Sequence, residues 1–310
     1  MATFVLVPGA WHGSWAFEAV VPLLERAGHT VHALTLTGLR PDDDNVTVAT
    51  ANLDTHANDV LRLLDRAHIT SATLVGHSYA GMVIAAAADR ADGRVARLVH
   101  LDAYVPRDGE SCWSSTTEQY RQAFVAGAAA TGYAVRPPFR PPHGGDPRRR
   151  PHPIASLLQR IRLTGTLAQV PRREFIYCSG WDGTPFAELR TRLRADPEWQ
   201  VHDLPTAHNA MREAPAAVAA LLLDERTAPS RFSVTALGGR PASLRGAVRL
   251  GAKSVESELE GAAPAVVSCR AVADEVGVDR EDAREVVGGE AGPECAAGLG
   301  VADELGAEGQ

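Results

Sequence analysis

Short apolar runs alternate with longer segments of helical periodicity, and this alternation limits the possible folds more than any other feature. The candidate strands lie at 3–9, 29–36, 71–78, 95–106, 173–182 and 199–205. The candidate helices between and after them lie at 14–28, 47–67, 79–90, about 185–195 and 214–225. Parallel strands need a crossover connection, usually a helix, so strand–helix alternation is typical of a parallel sheet. The sequence therefore predicts an α/β fold with a mostly parallel sheet and helices on both faces.

Two segments depart from this alternation and suggest domain boundaries. Residues 107–170 lie between two strands and are too long for a loop, so we expect a small helical cap over the carboxyl edge of the sheet. The cap holds the arginine-rich stretch RPPFRPPHGGDPRRRPHP (136–153), for which a solvated loop is a better interpretation than an anion site. Residues 226–310 contain no Trp or Tyr and are rich in Ala, Gly, Val and Glu. We predict an α/β domain over 1–225 and a low-complexity, poorly ordered tail over 226–310.

Composition argues against several classes of protein. The net charge of −7 does not favour nucleic-acid binding. The four cysteines are scattered and show no metal-ligand spacing. No apolar stretch approaches the roughly 20 residues of a membrane span, and no basic segment precedes the first apolar run. We expect a cytoplasmic protein with no nucleic-acid or membrane partner, either a monomer or a homodimer.

The stretch LVGHSYAGMV (74–83) has the pattern of a nucleophile elbow. A G-x-S-x-G motif between a strand and a helix holds the serine in a sharp, strained turn, and small residues on both sides prevent collisions. Here Ala80 stands at the second glycine position and Gly81 follows it. The start of the next helix also favours negative charge near the serine. We therefore predict that Ser78 is a nucleophile.

A serine nucleophile needs a base and an acid, which follow it in this order along such a chain. Among the 11 histidines, His208 is the best candidate for the base, because it lies in a loop after the last predicted strand. Asp182, at the end of the strand before that, is the preferred acid. Asp102 ends the preceding strand and is the alternative, whereas Asp203 is too close to His208 in sequence.

The oxyanion of an acyl-transfer reaction needs two backbone N–H donors. We assign one to Tyr79, the residue after the predicted nucleophile. The other should come from the loop VPGAWHGSW, where Gly9 permits a close backbone approach and either Ala10 or Trp11 presents the amide.

The segments FVLVPGAWHGSWAFEAVVPLLERAGHTVHALTLTGL, LVGHSYAGMV, LVHLDAYVP and LPTAHNAM resemble the α/β-hydrolase superfamily. The resemblance covers roughly residues 3–225 and is to the branch that holds plant methylesterases, hydroxynitrile lyases and their actinobacterial esterase relatives. It implies a Ser-His-Asp triad with Ser78 and His208, amide donors at Ala10 and Tyr79, and an acid near Asp182. It also implies no metal or cofactor, and an apolar pocket with Trp11, His12 and Trp113 near the substrate.

The branch contains both esterases and lyases. The resemblance implies that such lyases carry a lysine directly after the catalytic histidine, but here that residue is Asn209 and the only lysine is Lys253. We therefore predict a serine hydrolase that cleaves small to medium carboxylic esters, methyl esters included, through an acyl-enzyme. The alternatives are a thioesterase or cyclase of a biosynthetic pathway, and a non-catalytic ligand-binding protein of the same fold.

Overall fold

The computed structural model describes residues 1–138 and 146–224, and these form one compact unit. The predicted tail over 226–310 lies outside the described residues. The strands are β1 (Thr3–Val7), β2 (Thr30–Ala33), β3 (Ala72–His77), β4 (Val95–Leu101), β5 (Ala134–Val135), β6 (His152–Pro153), β7 (Arg172–Cys178) and β8 (Trp199–Leu204). The helices are α1 (Val21–Arg26), α2 (Asn45–Thr50), α3 (Leu53–Arg66), α4 (Ala80–Asp89), α5 (Cys112–Ser115), α6 (Glu118–Ala128), α7 (Ile154–Leu158), α8 (Ala187–Arg194), α9 (Ala210–Glu213) and α10 (Pro215–Leu223). Short 3-10 helices lie at Ser14–Phe17 and Thr166–Gln169.

Six strands form one parallel sheet in the order β2-β1-β3-β4-β7-β8. The fold-class prediction is confirmed, and each of the six predicted strands is present. Because all six strands run in the same direction, their carboxyl ends meet at one edge. In open α/β sheets the groups that bind ligands lie at this edge.

Alternating residues of the strands build two apolar layers. On β1, Phe4 and Leu6 pack with the face that α1 and α10 cover, whereas Val5 and Val7 pack with the face that α3 and α4 cover. All ten residues of α4 are buried, which its alanine-rich sequence allows because small side chains let the helix lie close to the sheet. Fully burying a larger apolar side chain, such as Phe4 or Leu6 of β1, stabilises the fold by about 1.5–3 kcal/mol.

Two predicted helices are each divided in the structure. The segment predicted as one helix over 47–67 breaks between α2 and α3, where Asn52 forms a capping box with Thr55. The segment 14–28 contains a 3-10 helix and then α1, with Pro22 in its first turn. In both cases a residue that favours a helix start, Asn52 or Pro22, begins a new helix within a segment whose apolar residues keep helical spacing.

The chain between β4 and β7 lies outside the main sheet. It contains α5, α6, α7, the 3-10 helix Thr166–Gln169 and a two-stranded antiparallel sheet in which β5 pairs with β6. Its return to β7 is anchored by Asp89, the last residue of α4, whose carboxylate accepts hydrogen bonds from Thr164, Thr166 and Leu167. This small helical cap is thereby attached to the body of the sheet.

Candidate active site

Ser78 directly follows β3 and has the strained backbone that the elbow pattern predicts. Its φ of 55° lies in the left-handed region, which is costly for a residue with a side chain. The turn is held by hydrogen bonds from the amides of Gly81 and Tyr104 to the Ser78 carbonyl. A Cβ on Gly81 would lie 2.0 Å from the Tyr104 carbonyl oxygen, so only glycine fits there.

His208 lies within hydrogen-bonding distance of the serine. Its Nε2 is 3.0 Å from Ser78 Oγ, and its Nδ1 is 2.7 Å from Asp102 Oδ2. With Nδ1–H donating to the carboxylate, Nε2 is free to accept the serine proton. The structure therefore brings Ser78, His208 and Asp102 into one hydrogen-bonded chain with the geometry of a nucleophile, a base and an orienting acid.

The preference for Asp182 as the acid does not agree with this geometry. Asp182 is exposed in the turn after β7, whereas Asp102 is fully buried directly after β4. The positive φ of Asp102, 42°, turns the chain at the strand end, and its amide donates to the Ile176 carbonyl of β7. Asp102, the alternative in the sequence analysis, is the residue that contacts His208.

The segment around Asp182 contributes through its neighbours instead. The Trp181 indole Nε1–H donates to Asp102 Oδ2 at 3.2 Å, and the Cys178 amide donates to Oδ1 at 3.1 Å. The rings of Trp181 and Phe186 lie 5.0 and 6.1 Å from the His208 ring. The sequence analysis preferred the end of β7, whereas the carboxylate that contacts His208 lies at the end of β4, and β7 and its following turn supply hydrogen-bond donors to that carboxylate.

His77 restrains the loop that carries His208. Its Nε2 donates to the His208 carbonyl at 2.9 Å, and the two rings lie 4.5 Å apart. Burial lowers the pKa of His77 well below its ordinary value, which keeps the ring neutral. No pattern in the sequence pointed to this role of His77.

The loop after β1 packs directly on the elbow. A Cβ on Gly9 would lie 2.8 Å from Ser78 Cβ, so glycine is required for this approach. Ala10 and Tyr79 are both buried, and within the described part of the chain neither backbone amide has a hydrogen-bond acceptor. Backbone amides of this kind are the donors that an oxyanion hole requires.

The three residues expected near the substrate occupy different surroundings. Trp11 donates its indole N–H to the Val135 carbonyl of the cap at 2.8 Å. His12 is buried, and its Nδ1 donates to the Ala10 carbonyl at 2.7 Å. Burial lowers its pKa to about 4. Trp113 is half-buried in α5 of the cap and packs against the main apolar cluster.

A cavity of about 420 Å³ lies between the chain after β4 and the segment before α8, and none of Ser78, His208 and Asp102 is among the residues that line it. It shares Phe186 with the surroundings of His208 and is lined by apolar side chains such as Val105 and Leu189 together with Arg107 and Arg192. Among residues 1–138 and 146–224, no cluster of three or more His, Cys, Asp or Glu side chains could hold a metal ion. The same residues include no helix long and apolar enough to cross a membrane.

A parallel sheet with this elbow and this serine–histidine–aspartate chain defines an α/β hydrolase. The sequence pattern of the α/β hydrolase family matches residues 4–221, so the chain belongs to that family. The carbendazim hydrolyzing esterase of Nocardioides sp. is 34% identical over 236 residues, which are 69% of this chain and 96% of that protein. Methylesterase 2 of Arabidopsis thaliana is 33% identical over 104 residues, 33% of this chain and 40% of that protein.

Solved structures agree with the fold. An extracellular α/β-hydrolase from a Paenibacillus species superposes with a TM-score of 0.62 at 21% identity, covering 72% of this chain and 98% of that one. The resemblance to the branch of methylesterases and hydroxynitrile lyases is confirmed, since α-hydroxynitrile lyase of Arabidopsis thaliana is also 36% identical over 104 residues, 33% of this chain and 40% of that protein.

Proposed function

We propose that this protein is a serine hydrolase that cleaves small to medium carboxylic esters, methyl esters included. The observation that carries the proposal is the hydrogen-bonded chain from Ser78 Oγ through His208 to Asp102. It is supported by relatives that are named as esterases, among them the carbendazim hydrolyzing esterase and methylesterase 2.

The mechanism follows from the positions of the side chains. His208 Nε2 takes the proton of Ser78 Oγ as the oxygen attacks the ester carbonyl carbon, and the amides of Ala10 and Tyr79 stabilise the resulting oxyanion. His208 then gives the proton to the leaving alcohol, and the acyl group remains on Ser78. Water, activated by the same nitrogen, attacks the acyl-enzyme and releases the carboxylic acid. Asp102 holds the imidazole and stabilises its positive charge throughout.

The residue directly after His208 is Asn209, at the position where the resemblance implies a lysine in hydroxynitrile lyases, and this weighs against cyanohydrin cleavage. A thioesterase would use the same triad, so relative kcat/KM on matched acyl-oxygen and acyl-sulfur esters distinguishes it from an esterase.

Labelling with a fluorophosphonate probe tests the proposal. We expect an adduct on Ser78, mapped by mass spectrometry, which is lost in Ser78→Ala and strongly slowed in His208→Ala. Turnover of p-nitrophenyl acetate should fall in parallel, on the order of 10⁶-fold in Ser78→Ala. A folded wild-type protein that neither labels nor turns over esters would contradict the proposal and favour a ligand-binding role.

A further inference from the structure

A buried histidine of the cap contacts both loops that carry the two proposed oxyanion donors. His152 is the first residue of β6 and is fully buried. Its Nδ1 accepts a hydrogen bond from the Trp11 amide at 3.4 Å, and its Nε2 donates to Ser156 Oγ at 2.9 Å. Ser156 Oγ donates in turn to the Pro153 carbonyl at 2.8 Å. Because the Ser156 hydroxyl donates its proton to the Pro153 carbonyl, its oxygen can only accept from His152. His152 therefore carries its proton on Nε2 and presents the lone pair of Nδ1 to the Trp11 amide.

Trp11 depends on the cap for its conformation. Its φ of 66° lies in the left-handed region, which is unusual for a bulky residue and needs support from its surroundings. The cap supplies this support three times: His152 accepts from the Trp11 amide, Val135 accepts from its indole, and the Arg150 amide donates to its carbonyl at 3.0 Å. Ala10, whose amide is one proposed oxyanion donor, directly precedes this residue.

The same imidazole packs against the residue that carries the second donor. The rings of His152 and Tyr79 meet edge to face, with 4.7 Å between their centroids. The Tyr79 hydroxyl donates to His56 Nδ1 at 2.9 Å, and His56 Nε2 donates to the Thr37 carbonyl at 2.8 Å. Tyr79 is thus held between a histidine of α3 and a histidine of the cap.

Neutral imidazoles are a condition for this arrangement, because a protonated His152 could not accept from the Trp11 amide. Burial lowers the pKa of His152 well below its ordinary value, and burial also lowers that of His56 to about 4. Both rings therefore remain neutral at the pH values at which a serine hydrolase works.

We propose that His152 is a positioning residue that sets the separation and direction of the two oxyanion donors. It acts through Trp11 on the loop after β1 and through the Tyr79 ring on the elbow. The cap would therefore contribute to transition-state stabilisation in addition to enclosing the substrate. This inference rests on the proposed ester hydrolysis.

Two variants separate this role from simple anchoring of the cap. His152→Leu removes the acceptor at similar volume, whereas His152→Asn can place its amide oxygen near the position of Nδ1. We expect kcat to fall about 10- to 100-fold in His152→Leu, less than the 10²–10³ of losing a whole donor. Much of this loss should be recovered in His152→Asn, and KM should change little in either.

Affinity for a trifluoromethyl ketone is the decisive measurement. This inhibitor forms a tetrahedral adduct with the serine and places an oxyanion in the hole, so its Ki should rise by the same factor as kcat falls. The Ki of a ground-state competitor, the product alcohol, should stay unchanged. If kcat and the ketone Ki remain at wild-type values in His152→Leu while KM rises or the melting temperature falls, His152 only anchors the cap and the inference is wrong.

The outcomes remain interpretable if His152→Leu does not fold. Ser156→Ala leaves the imidazole in place but removes the partner that selects its tautomer, and we expect a loss of about threefold to tenfold in kcat and in ketone affinity. Unchanged values in this variant overturn the inference. Absence of Ser78-dependent turnover in the wild-type protein overturns the proposed function itself and this inference with it, which distinguishes the two failures.

Discussion

At the scale of single residues, backbone strain is concentrated around the candidate site. Trp11, Ser78 and Asp102 all have φ values between 42° and 66°, in the region that residues with side chains avoid. Such conformations cost on the order of 1–3 kcal/mol each and persist only where surrounding contacts hold them. Each of these residues lies shortly after the end of a strand, of β1, β3 or β4. The positive φ turns the chain sharply at the edge of the sheet where the candidate site lies.

The choice between two aspartates gives a direct prediction at this scale. Asp102→Asn should lower kcat on the order of 10⁴-fold, because an asparagine no longer selects the Nδ1–H tautomer of His208. Asp182→Asn is the matched control and should leave kcat within about twofold, since this side chain is exposed and the carboxylate that His208 contacts is that of Asp102. Steady-state kinetics of both variants decide the matter. A larger loss in Asp182→Asn than in Asp102→Asn would contradict our assignment of the acid.

At the scale of elements, the sheet is anchored at the end opposite the site. Arg97 near the start of β4 forms a two-pronged ion pair with the fully buried Glu174 of β7, with both N···O distances at 2.7 Å. The same guanidinium donates to the carbonyls of Leu221 and Leu222 at the end of α10. One arginine thus supplies the missing hydrogen bonds of a helix terminus and neutralises a buried carboxylate.

Loss of this arginine should affect stability and leave catalysis intact. Arg97→Met removes the two-pronged partner of the Glu174 carboxylate but leaves Arg172 and His202 beside it, so we expect the free energy of unfolding to fall by about 1–3 kcal/mol. The double variant Arg97→Met/Glu174→Leu should recover part of that loss, because it also removes the buried carboxylate. Arg172 keeps its charge beside the end of α10, but its side chain is partly accessible to solvent. Urea denaturation measures both variants, and kcat of the folded fraction serves as the control. An Arg97→Met protein as stable as wild type would show that the pair contributes little.

At the scale of the whole molecule, several histidines of the described residues are buried as neutral rings. Burial lowers the pKa of five of them below the ordinary value: His12, His56, His77, His100 and His152. For His12, His56 and His100 the folded-state pKa is about 4. The unfolded chain therefore binds protons near pH 6.5, whereas the folded protein does not until near pH 4.

Stability should consequently decline as the pH falls from about 6.5 towards 4. In this window the unfolded chain holds more protons, and each such histidine lowers the free energy of unfolding by up to about 1.4 kcal/mol per pH unit. Melting temperatures measured from pH 7.5 to 5 check this expectation. His100→Asn retains a donor to the Tyr104 carbonyl but cannot titrate. Unfolding of this variant should take up one proton fewer, so its melting temperature should depend less steeply on pH. A melting temperature that does not change with pH over this range would refute the prediction.

Local patterns determined most of what could be predicted from the chain alone. Strand positions followed from apolar runs such as TFVLV. A parallel strand that is buried on both faces is apolar at nearly every position, and such a run is visible in the sequence. Ser78 followed from the small residues around it, since the sharp turn of the elbow excludes large ones. These features depend on neighbours in sequence, which a linear pattern records.

Tertiary structure alone decided which distant groups meet. Asp102 rather than Asp182 reaches His208 because β4 lies between β3 and β7 in the sheet, and the loop after β8 folds back across β7 towards it. The contact of His152 with Trp11 joins residues 141 positions apart. Such contacts depend on strand order and on the path of the cap, and no spacing in the sequence encodes either.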